Sequence, residues 1–199
     1  MRYLLCTILI VVSTLSAQHD STIVFLGDLD STITTDVRYA TENNFTGKVL
    51  YPTDKVYIRK IVGDALVDIN NYLLSYHNYR LKIFDGFRPI SVQRQMWEIF
   101  PNANYVADPA TGSRHNRGAA VDLTIIDSLG VELNMGTEYD NFTEKAHYNF
   151  SDFPDLIKYN RKLLRDVMIK FGFEPLESEW WHFDFNGWEN YSIIDFKLN

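Results

Sequence analysis

Two polar clusters, set far apart along the chain, most constrain how it can fold. The first is Gly112–Asp122, with the sequence GSRHNRGAAVD, and the second is Glu179–Asp184, with the sequence EWWHFD. The later part of each cluster, from Gly118 and from His182, has different residue types at alternate positions, which is typical of a strand with two different faces. We therefore expect two strands that each present polar groups on one face.

In the first cluster, a strand over residues 118–124 would place small residues beside the carboxylate of Asp122 on one face. Those small residues leave room for a bulky group, such as a metal ion with its substrate. His115 precedes the strand on a loop that can fold back toward Asp122. From this cluster alone, a solvated Asp122 and a surface His115 remain an equally acceptable interpretation.

The second cluster favours the metal interpretation. Strand alternation puts His182 and Asp184 on one face, so that His115, Asp122 and His182 form a His–His–carboxylate set. Such a set suits tetrahedral zinc with one open position, and zinc lowers the pKa of its bound water to about 7. We expect one Zn²⁺ per chain, although cobalt or manganese can occupy the same ligands.

Two further residues suggest hydrolysis. Glu179, three residues before His182, is placed to take a proton from water and pass it to a leaving amine. The alternative for Glu179 is a solvated charge at a strand edge. Arg88 follows the turn Asp85–Gly86 and could stabilise an oxyanion with its planar fork. The alternative for Arg88 is an ordinary surface salt bridge to Asp85.

The beginning of the chain has the pattern of an export signal. Arg2 precedes an apolar run from Leu4 to Val12, and mostly small or polar residues follow up to Ala17. The run is shorter than the roughly 20 residues that a spanning helix needs, so we expect no stable membrane insertion after cleavage. We predict a signal peptide at residues 1–17, a catalytic domain at 18–199, and a periplasmic or secreted protein. An uncleaved anchor is the alternative.

The rest of the chain predicts one α+β domain with a small antiparallel sheet flanked by helices and containing the zinc site. The net charge of -7 argues against nucleic acid as a partner. Helices are predicted for residues 53–76, capped by Thr53 or Asp54, and after Pro89 and Pro154. Strands are predicted for residues 81–84, 119–126 and 180–185. Oligomeric state is left open.

At these residues the chain resembles a known group of zinc peptidases. The pattern Ser113-x-His115-x-x-Gly118-x-Ala120-x-Asp122, followed by Glu179-x-x-His182, is similar to the signature of D-alanyl-D-alanine metallopeptidases, lysostaphin-type enzymes and the hedgehog domain. Within that group the chain most resembles the D-alanyl-D-alanine dipeptidases of peptidase family M15. The blocks that carry this resemblance are Asp36–Thr41, Asn43–Gly47, Asp85–Pro89 and Met135–Thr137.

The resemblance implies a role for each matching residue. His115, Asp122 and His182 would bind zinc, Glu179 would be the catalytic base, and Arg88 would stabilise the transition state. Ser113 and Asp140 would bind the dipeptide substrate, and we hypothesise that Asp140 pairs with its free α-amine.

The implied activity is zinc-dependent hydrolysis of D-alanyl-D-alanine to two D-alanine molecules. Family members tied to glycopeptide resistance act in the cytoplasm, so an export signal would instead suggest peptidoglycan turnover or scavenging. One alternative is a D,D-carboxypeptidase or endopeptidase that acts on larger cell-wall peptides. Another is a non-catalytic zinc-binding module, against which the presence of both Glu179 and Arg88 counts.

Overall fold

A computed structural model describes residues 22–194 and 196–198 of the chain. The predicted signal peptide therefore lies outside the described residues. The strands are β1 (Ile23–Phe25), β2 (Thr34–Thr35), β3 (Tyr57–Arg59), β4 (Arg80–Asp85), β5 (Ala120–Ile126), β6 (Phe173–Pro175) and β7 (His182–Phe185). The α-helices are α1 (Leu26–Leu29), α2 (Lys60–His77), α3 (Ile90–Ile99) and α4 (Asp155–Lys170).

The main sheet has the strand order β2-β4-β5-β7-β6. Its pairings are antiparallel except that the short edge strand β2 runs parallel to β4. A parallel pair needs a crossover, and here the connection passes through β3 and α2. The predicted α+β class with a small, largely antiparallel sheet is confirmed.

The two faces of the sheet have different roles. Every residue of the central strand β5 is buried. On one face Val121, Leu123 and Ile125 join a core to which the long helices α2 and α4 contribute their apolar stripes. On the other face Asp122 is buried without belonging to that core. The sheet therefore separates a hydrophobic layer from a buried polar one.

The helix predicted from residue 53 begins later than expected. Residues 57–59 form β3, which pairs with β1, and α2 starts only at Lys60. Arg59 rather than Thr53 or Asp54 is its N-cap. The prediction was wrong here because the partner strand lies far away in sequence, where a local helical period cannot reveal it.

The other predicted elements are close to their observed limits. Helices α3 and α4 begin directly after Pro89 and Pro154. The last strand is shorter than predicted, because Trp180 and Trp181 precede β7 rather than belonging to it. Among the helices of the described residues, none combines the length and the apolarity that crossing a bilayer requires.

Candidate metal and substrate site

Strand register places three polar residues side by side on the buried polar face of the sheet. Asp122 on β5 is opposite His182 on β7 on one side and opposite Asp85 on β4 on the other. An irregularity in β4 between Ile83 and Asp85 shifts the register by one residue and aligns Asp85 with Asp122. Such irregularities commonly re-aim a side chain beside a functional site.

The three predicted metal ligands lie together and are buried. Asp122 Oδ1 is 2.9 Å from His182 Nδ1. His115 Nε2 is 3.2 Å from His182 Nδ1 and 3.4 Å from Asp122 Oδ1. His115 reaches this point from the short 3-10 turn His115–Arg117, directly before β5. Three donor atoms thus converge from three segments of the chain.

The donor set fits a zinc ion. Tetrahedral zinc with bonds of about 2.0–2.1 Å has ligand atoms roughly 3.3 Å apart, close to the separations found here. The remaining ring nitrogens also have the partners usual for metal-binding histidines. His115 Nδ1 lies 2.8 Å from the carbonyl oxygen of Gly86, and His182 Nε2 lies 2.9 Å from Asp184 Oδ1.

Asp122 is held through its second carboxylate oxygen. The hydroxyl of Tyr139 donates a hydrogen bond of 2.9 Å to Oδ2, which leaves Oδ1 directed at the two histidines. Burial alone would raise the pKa of Asp122, but His115 and His182 hold that pKa well below its usual range. Burial lowers the pKa of His182, whereas Asp184 and Asp122 together raise it well above the usual value.

Glu179 lies beside this donor set, in the turn before β7. One of its carboxylate oxygens is 3.9 Å from His182 Nδ1, and its side chain is buried. Burial raises the pKa of Glu179 to about 8, and the nearby carboxylates of Asp122 and Asp140 add to that rise. A carboxylate with a pKa near neutrality is well suited to general acid–base chemistry.

Arg88 forms the salt bridge to Asp85 that its position in the sequence suggested, but the pair is buried rather than at the surface. Its Nε and Nη2 donate to Asp85 Oδ2 at 3.0 and 2.7 Å, and Nη1 donates to Gln93 at 3.1 Å. The guanidinium also lies over the ring of Tyr39, 5.2 Å from its centroid. Arg88 is therefore a fixed buried cation.

The two predicted substrate-binding residues have well-defined surroundings. Ser113 Oγ accepts a hydrogen bond from the backbone of Asn116, whose side chain accepts one from the Ser113 amide. Asp140 has a left-handed backbone with φ of 59° and accepts hydrogen bonds from Tyr39 and the Phe45 amide, each at 3.3 Å. Burial, and then the charge of Asp122, raise the pKa of Asp140 to about 7.

All seven predicted site residues line one cavity of about 150 Å³. They are Ser113, His115, Asp122, Asp140, Glu179, His182 and Arg88. Aromatic side chains that include Phe45, Phe142 and Trp181 complete its wall. Pockets for drug-sized ligands measure about 300–1,000 Å³, so this cavity suits a smaller molecule.

Sequence reasoning missed several supporting residues. Asp184 was placed on the face of His182, and that alternation could have suggested its contact with the imidazole. Tyr139 had no such signal, because its contact with Asp122 joins segments that the fold brings together. Gln93 and Asn116 were missed for the same reason: Asn116 Nδ2 donates to the carbonyl oxygen of Arg88.

An α+β domain that gathers a three-donor metal set, a buried carboxylate and a buried arginine in one small cavity has the groups of a zinc peptidase. The chain belongs to the peptidase M15 family described as D-ala-D-ala dipeptidase, whose family model matches residues 19–195. The resemblance seen in the sequence is thereby confirmed.

Individual relatives agree with this family. The D-alanyl-D-alanine dipeptidase of Escherichia coli K12 is 33% identical over 159 residues, covering 80% of this chain and 82% of that protein. The D-alanyl-D-alanine dipeptidase of Streptomyces coelicolor is 33% identical over 185 residues, covering 80% and 89%. A solved vancomycin-resistance D,D-pentapeptidase in complex with Zn(II) gives a TM-score of 0.42 at 17% identity, covering 70% of this chain and 78% of that one.

Proposed function

We propose that this protein hydrolyses the dipeptide D-alanyl-D-alanine to two molecules of D-alanine in a zinc-dependent reaction. The observation that carries the proposal is the cavity of about 150 Å³. It combines three convergent metal donors with a buried carboxylate and a buried arginine. The choice of D-residues rests on membership of the family and on the names of the relatives.

His115, Asp122 and His182 would hold one zinc ion. When bound, zinc would supply Lewis acidity toward the scissile carbonyl and toward water. Glu179 accepts a proton from the attacking water and delivers it to the nitrogen of the leaving residue. The water oxygen bonds to the carbonyl carbon as the C–N bond breaks, so one water is consumed for each dipeptide.

Arg88 stabilises the negative charge that develops on the carbonyl oxygen. Its guanidinium is already fixed by Asp85 and Gln93, so little reorganisation is needed during the reaction. Asp140, at another part of the cavity wall, pairs with the free α-amine of the substrate. Ser113 offers a hydroxyl to the bound dipeptide from a segment that Asn116 holds in place.

The alternatives receive less support from this geometry. A D,D-carboxypeptidase or endopeptidase needs a long cleft for a longer peptide, whereas this cavity is small and bordered by aromatic side chains. A non-catalytic zinc module needs neither a buried Glu179 nor a buried Arg88, since burying each carries a desolvation cost.

The biological setting follows from the beginning of the chain. The signal-peptide pattern of residues 1–17 would direct the protein to the periplasm or outside the cell. Cleavage of D-alanyl-D-alanine there would serve peptidoglycan turnover or scavenging of D-alanine. Sequencing the N-terminus of the protein recovered from the periplasm would test this setting separately from the activity.

The activity is tested by measuring D-alanine release by protein lacking residues 1–17, before and after chelation and after restoration of zinc. Zinc-dependent release from D-alanyl-D-alanine, with little from its N-acetylated form or from L-alanyl-L-alanine, is the expected result. Zinc-loaded protein that releases no D-alanine from the dipeptide would refute the proposal. Release of D-alanine from a pentapeptide that ends in D-alanyl-D-alanine, and not from the dipeptide, would favour the carboxypeptidase alternative.

A further inference from the structure

We infer that Arg114 binds the C-terminal carboxylate of the dipeptide and makes the enzyme selective for a free C-terminus. This inference rests on the proposed function and adds a specificity-determining residue to it. Arg114 lies between Ser113 and His115, and its side chain lines the same cavity. That side chain is 39% exposed although its Nε is buried, whereas Arg88 is buried as a whole.

The charges around the cavity create a need for such a cation. Among the described residues that line it, Asp122, Asp140 and Glu179 are acidic, whereas Arg88 and Arg114 are the two arginines and no lysine is present. A dipeptide with free ends carries one positive and one negative terminus. Zinc would offset the charge of Asp122, but Asp140 and Glu179 would still disfavour the substrate carboxylate unless a further cation lay beside it.

Arg88 is already committed to other partners. Three of its five N–H groups donate to Asp85 and Gln93 in buried contacts. The remaining two would serve the reacting carbonyl in the proposed mechanism. This leaves Arg114 for the carboxylate at the other end of the leaving residue.

Arg114 is held by two neighbours but keeps hydrogen-bond donors without a partner. Its Nε is 3.4 Å from Asp184 Oδ2, and its Cζ lies 4.6 Å from the centroid of the Trp188 ring. Within residues 22–194 and 196–198, Nε has no hydrogen-bond partner, and the two terminal nitrogens donate to no protein group. The fork therefore has its donors free while the ring of Trp188 limits its movement.

This arrangement matches a carboxylate better than other ligand groups. A guanidinium offers two parallel N–H donors at the spacing of the two carboxylate oxygens. Holding the fork against Trp188 before binding reduces the ordering cost on association. A substrate with a neutral C-terminal amide, or with a further residue after the second alanine, would lose this charged pair.

The test compares D-alanyl-D-alanine with its C-terminal amide as substrates for the wild-type protein, Arg114→Gln and Arg94→Gln. Arg94 is exposed on α3 outside the cavity, so its substitution controls for the loss of one positive charge. Zinc content and kcat are measured alongside KM for every variant. These two readouts are needed because Arg114 also contacts Asp184, the partner of His182.

We expect the wild type and Arg94→Gln to favour the free dipeptide over the amide by roughly ten- to hundred-fold in kcat/KM. Arg114→Gln should lose that preference through a higher KM for the free dipeptide, with zinc content and kcat retained. Wild-type turnover of D-alanyl-D-alanine with an unchanged preference in Arg114→Gln would overturn the inference. An equal loss of kcat/KM on both substrates, accompanied by loss of zinc, would also overturn the inference. Absence of any wild-type turnover would overturn the proposed function itself.

Discussion

Asp122 and His182 lie directly opposite each other on the adjacent antiparallel strands β5 and β7, with Oδ1 and Nδ1 2.9 Å apart. Two of the three candidate ligands are thus placed by one backbone ladder in the middle of a buried sheet. Ligands carried by strands are held more rigidly than ligands carried by loops. The metal site should therefore be largely formed before zinc binds.

Removing a ligand should remove the metal. His182→Ala is expected to reduce bound zinc from one per chain to a small fraction, because two donors alone hold zinc poorly. His77→Ala, at the end of α2, should leave zinc content unchanged. Metal analysis after gel filtration measures both variants. Chelation of the wild type should also lower its Tm, since zinc stabilises the folded state to which it binds.

Asp184 should matter for zinc affinity although it is not a predicted ligand. Its Oδ1 contacts His182 Nε2 at 2.9 Å and so orients the imidazole. We expect Asp184→Asn to weaken zinc binding by about 10- to 100-fold in a competition titration with a chromophoric chelator. The exposed Asp152→Asn serves as the matched control. Equal affinities for the two variants would contradict an orienting role for Asp184.

Glu179→Gln should separate chemistry from metal binding. Since the residue is proposed as the base and not as a ligand, the variant should keep its zinc while kcat falls by about 10²–10⁴-fold. Glu177→Gln changes an exposed carboxylate two residues away and should retain full activity. Stopped D-alanine assays with parallel zinc analysis give both quantities. Normal turnover by zinc-loaded Glu179→Gln would rule out its role as base.

The proposed role of Asp140 predicts a pH dependence of KM. Burial raises the pKa of Asp140 to about 7, so its carboxylate gains a proton and loses its charge as the pH falls through that value. A neutral carboxyl group cannot pair with the substrate amine, and KM for D-alanyl-D-alanine should therefore rise below about pH 7. Asp140→Asn should have a high KM for D-alanyl-D-alanine at every pH. It should also hydrolyse N-blocked substrate faster than the wild type does. An Asp140→Asn enzyme with wild-type KM would exclude the pairing.

Arg88 should affect both activity and stability. Arg88→Lys keeps the charge but loses the planar fork, and we expect kcat to fall by about 10²–10³-fold. Arg88→Ala leaves Asp85 buried without its cation, which should lower the free energy of unfolding by about 3–5 kcal/mol. Urea denaturation of both variants, beside measurement of kcat, separates the effect on stability from the effect on activity. Full stability of Arg88→Ala would mean that Tyr51 and the Gly86 amide, which donate to Asp85 Oδ1 at 2.8 and 2.9 Å, satisfy the carboxylate without a cation.

Several features could be read from residue patterns because they depend on local rules. Strand alternation put His182 and Asp184 on one face, and the prolines at positions 89 and 154 marked where α3 and α4 begin. The spacing of Glu179 and His182 predicted a carboxylate next to a candidate ligand, and the two side chains lie 3.9 Å apart. These predictions need only the period of a strand, the restricted backbone of proline and the chemistry of side chains.

Other features depended on partners that lie far away in sequence. The β1–β3 pairing turned the predicted first turns of α2 into a strand, and the irregularity in β4 placed Asp85 beside Asp122. Tyr139 became a partner of Asp122 only through the packing of a later loop on the sheet.

The sequence by itself determined which side chains could bind zinc, accept a proton and stabilise an oxyanion, because those capacities belong to residue types and their local spacing. The tertiary structure decided that His115, Asp122 and His182 meet, that Arg88 pairs with Asp85 inside the protein, and that the cavity is small. Those outcomes come from strand register and burial, which arise from contacts between distant segments and have no local signature in the sequence.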